Sequence, residues 1–201
     1  MAVDPVGGSA ATAALRRRRG TPLAGVVVRE SLAAVTIFGF ALVTPELVRP
    51  SEEEPDPEVE IGEEYWTVVL HGSGLLDVAG FAFRIGGFGH ADWKFDVGYD
   101  MSTFMEELPG LIELLERGEG RAEIDLYSQG VERTLLFEAD GPVVRIEALS
   151  RTDWRPDPAV EILPMAELDR MVGELTRAFA QGLAVVDPEF AAQEPFTTWL
   201  R

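Results

Sequence analysis

The feature that most constrains the fold of this chain is a run of three stretches in which apolar and polar residues alternate. They cover residues 122–127, 131–138 and 142–148. Successive side chains of a strand point to opposite faces, so each stretch predicts a strand with one buried and one solvated face. Gln129-Gly130 and Asp140-Gly141 separate the stretches, and Asp-Gly is a strong hairpin signal. The sequence therefore predicts a three-stranded antiparallel meander.

Helical patterns flank the meander on both sides. Before it, a short helix is predicted to end at Leu108, and a second to begin with Pro109 and to stop at Gly118. After it, Leu163-Pro164 opens an amphipathic helix whose apolar residues recur at the helical period. The buried stripe of this helix comprises Leu168, Met171, Val172, Leu175 and Phe179.

Upstream of the helices, three further strands are predicted at residues 65–71, 81–85 and 93–99. Residues 65–71 (YWTVVLH) are β-branched and aromatic and are followed by a Gly-Ser-Gly turn, and the other two segments alternate. The predicted fold class is α+β: an antiparallel sheet of roughly six strands covered on one side by helices, with the C-terminal helices packing on the sheet.

The chain divides into four parts by composition. Residues 1–22 are predicted to be a disordered basic leader containing Arg16–Arg19, and residues 23–49 are an apolar segment. Residues 50–64 are an acidic, proline-containing linker or loop, and residues 65–201 form the main domain. The apolar run at 32–43 is too short to span a bilayer unaided, which favours a core strand or helix and a cytoplasmic protein. An export signal or membrane anchor at 23–43 remains the alternative.

Charge and composition narrow the classes of function. The chain has a net charge of −18 and contains no cysteine, which excludes disulfides, thiolate metal sites and a cysteine nucleophile. The negative charge lies after residue 50, since the preceding residues carry six arginines against three acidic side chains. So acidic a body repels nucleic acid and anionic lipid, and it favours a basic protein partner or solubility alone.

Few residues are candidates for chemistry. His71, His90 and Asp92 are weak candidates for a metal site, because two histidines and a carboxylate must converge to form one and no spacing motif supports it. The glycines at 86–89 precede a predicted strand where a phosphate loop would have a helix, so no cofactor is expected. Carboxylates are too abundant for any acid–base pair to be singled out.

The exposed group Asp153, Trp154 and Arg155 is the candidate interface. A tryptophan between opposite charges in a loop is typical of an interface anchor, although Trp154 could equally close the end of the sheet. These alternatives place the residue either outside or inside the folded body.

From Tyr99 to Leu200, the order of elements is similar to that of small bacterial accessory domains of the toxin-immunity type. The likeness rests on the helix, the meander, the Trp-Arg-Pro exit, the amphipathic helix and the terminal Trp199. It implies a non-enzymatic protein that binds and blocks a toxin, and an acidic body suits a basic partner. The alternatives are a hydrolase or other enzyme with a carboxylate-based site between the sheet and the C-terminal helices, and a membrane-tethered extracytoplasmic domain.

Overall fold

The computed structural model describes residues 37–48, 64–127 and 131–201, which belong to a unit spanning Ala34–Arg201. The described residues form six strands and five α-helices. The strands are β1 (Gly39–Val43), β2 (Ala82–Gly86), β3 (Glu119–Leu126), β4 (Arg133–Asp140), β5 (Val143–Ser150) and β6 (Val160–Pro164). The helices are α1 (Tyr65–Val78), α2 (Ser102–Glu106), α3 (Leu108–Arg117), α4 (Met165–Val186) and α5 (Phe196–Trp199).

The predicted fold class is confirmed, with the strands divided between two antiparallel sheets. β3, β4, β5 and β6 form one sheet in chain order, and β1 pairs with β2 in the other. The predicted meander corresponds to β3–β5, and the Asp140-Gly141 turn joins β4 to β5 with Gly141 at φ 63°. The predicted Gln129-Gly130 turn lies outside the described residues, as do the basic leader and most of the acidic segment.

The larger sheet has one buried face and one solvated face, as the alternation predicts. Ile124, Leu135 and Ile146 are fully buried on the inner face, against which the helices pack. The outer face carries ion pairs, including Arg121 with Glu138 at 2.6 Å. Among the described residues, the helices therefore pack on one side of this sheet.

Residues 65–71 form the first half of α1, so the predicted strand there is wrong. The buried residues Val68, Val69, Gly72 and Leu76 follow helical spacing, and this burial outweighs the strand propensity of the aromatic and β-branched residues. Gly72 lies inside the helix, and a larger residue is disfavoured there because its Cβ would lie 3.0 Å from the Phe179 ring on α4. The glycine permits a close approach of two helices and does not mark a turn.

Residues 93–99 do not form a strand either, although their side chains do alternate between buried and exposed. Trp93, Phe95 and Val97 are buried, but the segment has no pairing strand and passes into a π-helical turn at Val97–Met101. The side chain of Asp96 caps this turn by accepting the backbone N–H of Tyr99 at 2.7 Å. Alternation here indicates one buried side of an extended segment, not a partner strand.

β6 is absent from the predicted strands. Its inward positions are Glu161 and Leu163, so a carboxylate replaces an apolar residue and breaks the expected pattern. The predicted helix begins at Met165, two residues after Leu163, and its apolar stripe is buried as expected. The break between α2 and α3 falls at Glu107, close to the predicted boundary before Pro109.

Glu161 joins the two sheets. Its carboxylate accepts hydrogen bonds from the backbone N–H groups of Phe38, just before β1, and of Phe88, in the loop after β2. Glu161 is only 8% exposed, and each carboxylate oxygen has one of these donors. Phe38, Phe40 and Leu42 are buried in the same core, so the second half of the apolar 32–43 run forms part of this body.

Within the described ranges, no helix has both the length and the apolar character that a bilayer span requires.

Candidate protein-binding surface

The structure separates the three residues considered for a metal site. His71 lies on α1 with its ring 4.7 Å from that of Phe190, in an edge-to-face contact. Asp92 forms ion pairs with Arg84 at 3.1 Å and Lys94 at 2.6 Å. In the described part of the chain, no group of three or more acidic or histidine side chains is arranged to hold a metal ion.

His90 instead belongs to a cluster around Trp154. The ring centres of His90 and Trp154 lie 5.3 Å apart, and the His90 Nε2 atom is 3.2 Å from the carbonyl oxygen of Arg155. Trp154 is half-buried, and its ring meets that of Trp93 edge to face at 5.4 Å. Asp153 and Arg155 are exposed on either side of it. Of the predicted interface group, the tryptophan faces the body and the two charged residues face solvent.

Arg133 lies beneath this aromatic cluster, on the inner face of β4. Its guanidinium carbon is 4.1 Å from the ring centre of Trp154 and 4.8 Å from that of Trp93. The residue is 8% exposed, and its Nε and Nη1 atoms have no hydrogen-bond partner among the described residues. Burial lowers the pKa of Arg133, and the carboxylate of Asp100 opposes this shift. Both of these nitrogens are covered by the protein and do not face solvent.

A different set of aromatic side chains faces solvent, in a groove of about 290 Å³ that we call the aromatic groove. Its exposed side chains are Trp66 (46%), Leu70 (40%), Tyr99 (53%) and Tyr127 (51%). Ser102, Thr103 and Glu106 complete the lining. Exposed aromatic side chains grouped in one depression are typical of a binding surface.

Four chain segments build the aromatic groove. α1 provides Trp66 and Leu70, the π-helical turn provides Tyr99, α2 provides Glu106, and Tyr127 follows β3 directly. The hydroxyl of Tyr65 donates to the carbonyl oxygen of Met105 at 2.7 Å and so fixes α1 against α2. The groove is thus supported by helices packed on the core.

Hydrogen bonds within the groove hold its side chains in place. The Tyr127 hydroxyl donates to Oε2 of Glu106 at 3.1 Å, and the indole N–H of Trp66 donates to Oε2 of Glu64 at 2.6 Å. The hydroxyls of Ser102 and Thr103 both donate to the carbonyl oxygen of Tyr99, at 2.7 and 3.0 Å. These bonds engage the side-chain donors of Ser102, Thr103 and Tyr127 within the lining, and that of Trp66 with Glu64 outside it.

The electrostatic environment of the groove is negative. Burial raises the pKa of Glu107, and the nearby carboxylates of Glu106, Asp125 and Glu123 raise it further. Burial also raises the pKa of Tyr127, with a contribution from Glu106. None of the seven lining residues is basic. A cation entering the groove therefore meets the Glu106 carboxylate and no basic side chain of the lining.

The outer face of the larger sheet is a weaker candidate, although shallow depressions lie on it. Their charged residues are engaged with each other, as in the ion pairs of Arg145 with Glu147 at 2.9 Å and Arg121 with Glu138 at 2.6 Å. Side chains that already neutralise one another present little net field to a partner.

The sequence predicted none of the groove residues as a site. Trp66 and Tyr99 were assigned to strands that do not exist, and Tyr127 stood on the polar face of β3 without any sign of its neighbours. An available signal was that Tyr127 is aromatic on a face otherwise made of acidic residues. Comparisons with protein-family models, curated proteins and solved structures find no match for the chain.

Proposed function

We propose that the chain is a non-enzymatic protein-binding module of the immunity type, which binds a basic protein through the aromatic groove and the carboxylates around it. The observation that carries the proposal is the grouping of Trp66, Tyr99 and Tyr127 at about half exposure beside Glu106. Tryptophan and tyrosine are enriched among the residues that dominate binding energy at protein interfaces.

The net charge supports the same conclusion. A chain with a charge of −18 attracts basic partners over long distances and speeds their association. The carboxylates near the groove direct that attraction toward the aromatic side chains. The charges would steer the encounter, and the aromatic side chains would supply the contact area that keeps the complex together.

The enzymatic alternative lacks a specific observation in its favour. Glu161 is the single buried carboxylate among the described residues, and both of its oxygens accept backbone N–H groups. A carboxylate that joins two sheets in this way is engaged in the structure and is not positioned on a cleft. We therefore develop only the binding function.

The test compares two immobilised full-length chains, the wild type and Tyr99→Ala, exposed to a lysate of the source organism. Tyr99 is 53% exposed, so its truncation should remove contact area without unfolding the domain. A protein retained by the wild type and lost from the variant is identified by mass spectrometry. Its association rate is then measured between low and high salt.

The proposal expects a basic protein whose association slows markedly as the salt concentration rises, because salt screens exposed charges beyond about 10 Å at 0.1 M. A retained protein that is acidic, or one whose association does not respond to salt, would contradict the electrostatic part. If no protein is retained by the wild type and lost from Tyr99→Ala, the role of the groove is contradicted.

A further inference from the structure

The aromatic groove has an unusual balance of hydrogen-bonding groups. The hydroxyl hydrogens of Tyr127, Ser102 and Thr103 are donated to Glu106 and Tyr99 of the lining, and the indole N–H of Trp66 is donated to Glu64, outside the lining. The hydroxyl of Tyr99 can act as donor or acceptor. What the groove offers to a ligand is therefore a set of acceptors and the faces of aromatic rings.

The acceptors include a carboxylate oxygen. Oε2 of Glu106 accepts from Tyr127 at 3.1 Å, and Oε1 of Glu106 has no hydrogen bond from the described residues. The hydroxyl oxygens of Ser102 and Thr103 keep lone pairs after donating to Tyr99. A ligand that matches this surface must carry donors, positive charge and a shape that stacks on rings.

Resting on the proposed function, we propose that the aromatic groove is a subsite for the guanidinium group of an arginine side chain presented by the protein partner. Guanidinium has five N–H donors and no acceptor, so it complements a lining whose hydrogen-bonding groups are mostly acceptors. It is planar and weakly hydrated, and it stacks on aromatic faces more readily than an ammonium group does. Glu106 supplies the opposite charge, and the rings of Trp66, Tyr99 and Tyr127 supply the stacking surface.

The dimensions agree with a single side chain. A groove of about 290 Å³ lies at the lower limit of small-molecule pockets, about 300 Å³, and is open to solvent. An arginine reaching in from a partner surface would place its aliphatic stem against Leu70 or a ring and its head group beside Glu106. The nearby carboxylate of Glu107, which interacts with that of Glu106, would favour the approach of positive charge.

The experiment titrates the full chain with Nα-acetyl-arginine amide, followed through the indole N–H signal of Trp66 in ¹H–¹⁵N NMR spectra. The Trp66→Phe variant assigns that signal among the four tryptophans. Nα-acetyl-citrulline amide is the matched neutral ligand, because it keeps the shape of arginine and lacks its charge. Nα-acetyl-lysine amide separates a guanidinium site from a general cation site. Ionic strength is held constant throughout.

We expect saturable binding of the arginine amide with a Kd on the order of 1 mM, since a ligand this small cannot bind tightly. Citrulline and lysine amides should bind at least about fivefold more weakly. Glu106→Gln should weaken arginine binding about three- to tenfold. Glu116→Gln, which removes one exposed carboxylate of α3 outside the groove lining, should leave binding unchanged.

Equal binding of citrulline, equal binding of lysine, or an effect of Glu116→Gln as large as that of Glu106→Gln would each overturn the arginine subsite. Absence of a Trp66 signal change with the arginine amide would do so as well. The two proposals fail separately. A partner lost from Tyr99→Ala without arginine binding leaves the protein-binding function in place and removes the subsite. If the arginine amide binds but no partner is retained, the guanidinium site stands and the protein-binding function is contradicted.

Discussion

The guanidinium carbon of Arg133 lies 4.1 Å from the ring centre of Trp154, so the tryptophan that the sequence marks as an interface anchor covers a buried cation. The rings of Trp93 and His90 contact the same tryptophan, at 5.4 and 5.3 Å. The sequence indicates an interface here because Trp154 lies in a loop between the opposite charges of Asp153 and Arg155. These contacts make Trp154 part of the folded body, and its substitution tests this directly.

Trp154→Ala should lower the free energy of unfolding by about 2–3 kcal/mol, because it removes aromatic packing and the stacking on Arg133. The measurement is equilibrium unfolding in urea. Trp66→Ala is the matched control, since Trp66 is 46% exposed in the aromatic groove and its loss should cost less than about 1 kcal/mol. Similar losses for the two variants would show that Trp154 has no special role in stability.

Arg133 should tolerate methionine better than lysine. Its Nε and Nη1 atoms have no hydrogen-bond partner among the described residues, so the buried guanidinium carries a desolvation cost. Arg133→Met removes that cost and retains apolar packing, and we expect stability within about 1 kcal/mol of the wild type, or above it. Arg133→Lys keeps a charge that is more strongly hydrated and does not stack as a plane, and should lose about 1–2 kcal/mol. Thermal and urea unfolding give the stabilities of both variants. A more stable Arg133→Lys than Arg133→Met would contradict the prediction.

Glu161→Gln should destabilise the protein by about 1–3 kcal/mol. The carboxylate accepts the backbone N–H groups of Phe38 and Phe88, and an amide has only one oxygen to offer them. The second donor would then face an NH₂ group in a buried position. Glu147→Gln, on the outer face of the same sheet, is the control and should change stability by less than about 0.5 kcal/mol. Denaturant titrations measure the stability loss of each variant. Equal losses for Glu161→Gln and Glu147→Gln would show that the buried bonds contribute nothing.

His71 should make the protein less stable in mild acid. Burial lowers its pKa below the ordinary value of 6.5, and Asp187 opposes the shift. Because the unfolded chain binds a proton more readily than the folded chain, the contribution is present above pH 6.5 and is lost as the pH falls through the folded pKa. We expect the free energy of unfolding to decrease from pH 7.5 to pH 5.5 more steeply in the wild type than in His71→Gln. If the free energy of unfolding falls equally with pH in the two proteins, His71 is not the cause of the lost stability.

The strands β3, β4 and β5 could be predicted from the sequence because the pattern that defines them is local. In β4, Leu135 and Phe137 are buried and Glu138 is not, and a two-residue period records this directly. α4 could be predicted for the same reason at the helical period. The break before Pro109 followed from the missing N–H of proline.

α1 could not be predicted because its residue types contradict its state. The aromatic and β-branched residues at 65–71 favour a strand, and Gly72 and Gly74 resemble a turn. The helix buries Val68, Val69 and Leu76 together and packs closely on α4, where a Cβ at Gly72 would lie 3.0 Å from the Phe179 ring. That information belongs to the tertiary structure.

The aromatic groove was also beyond prediction from the sequence. Trp66, Tyr99 and Tyr127 are separated along the chain and come together only through the packing of α1, the π-helical turn and the end of β3. Nothing in the spacing of these residues indicates their proximity. The negative charge and the class of function, an immunity-type module that binds a basic protein, are by contrast predictions from the sequence, and only the place of the binding surface differs.

The bond between Glu161 and Phe38 joins residues 123 positions apart, and this separation bears on the order in which the protein folds. β3, β4 and β5 pair with their neighbours along the chain, so their contacts close short loops. Closing the long loop to Phe38 costs more chain entropy and is repaid only after β6 has formed. We therefore expect the meander to form early and the segment that contains β1 to dock last. In a nascent chain β1 can pair with β2 as soon as Gly86 has emerged, but the bonds of Phe38 and Phe88 to Glu161 must wait for β6. The two-stranded sheet therefore stays undocked, with its apolar side chains exposed to misassembly, until β6 has been synthesised.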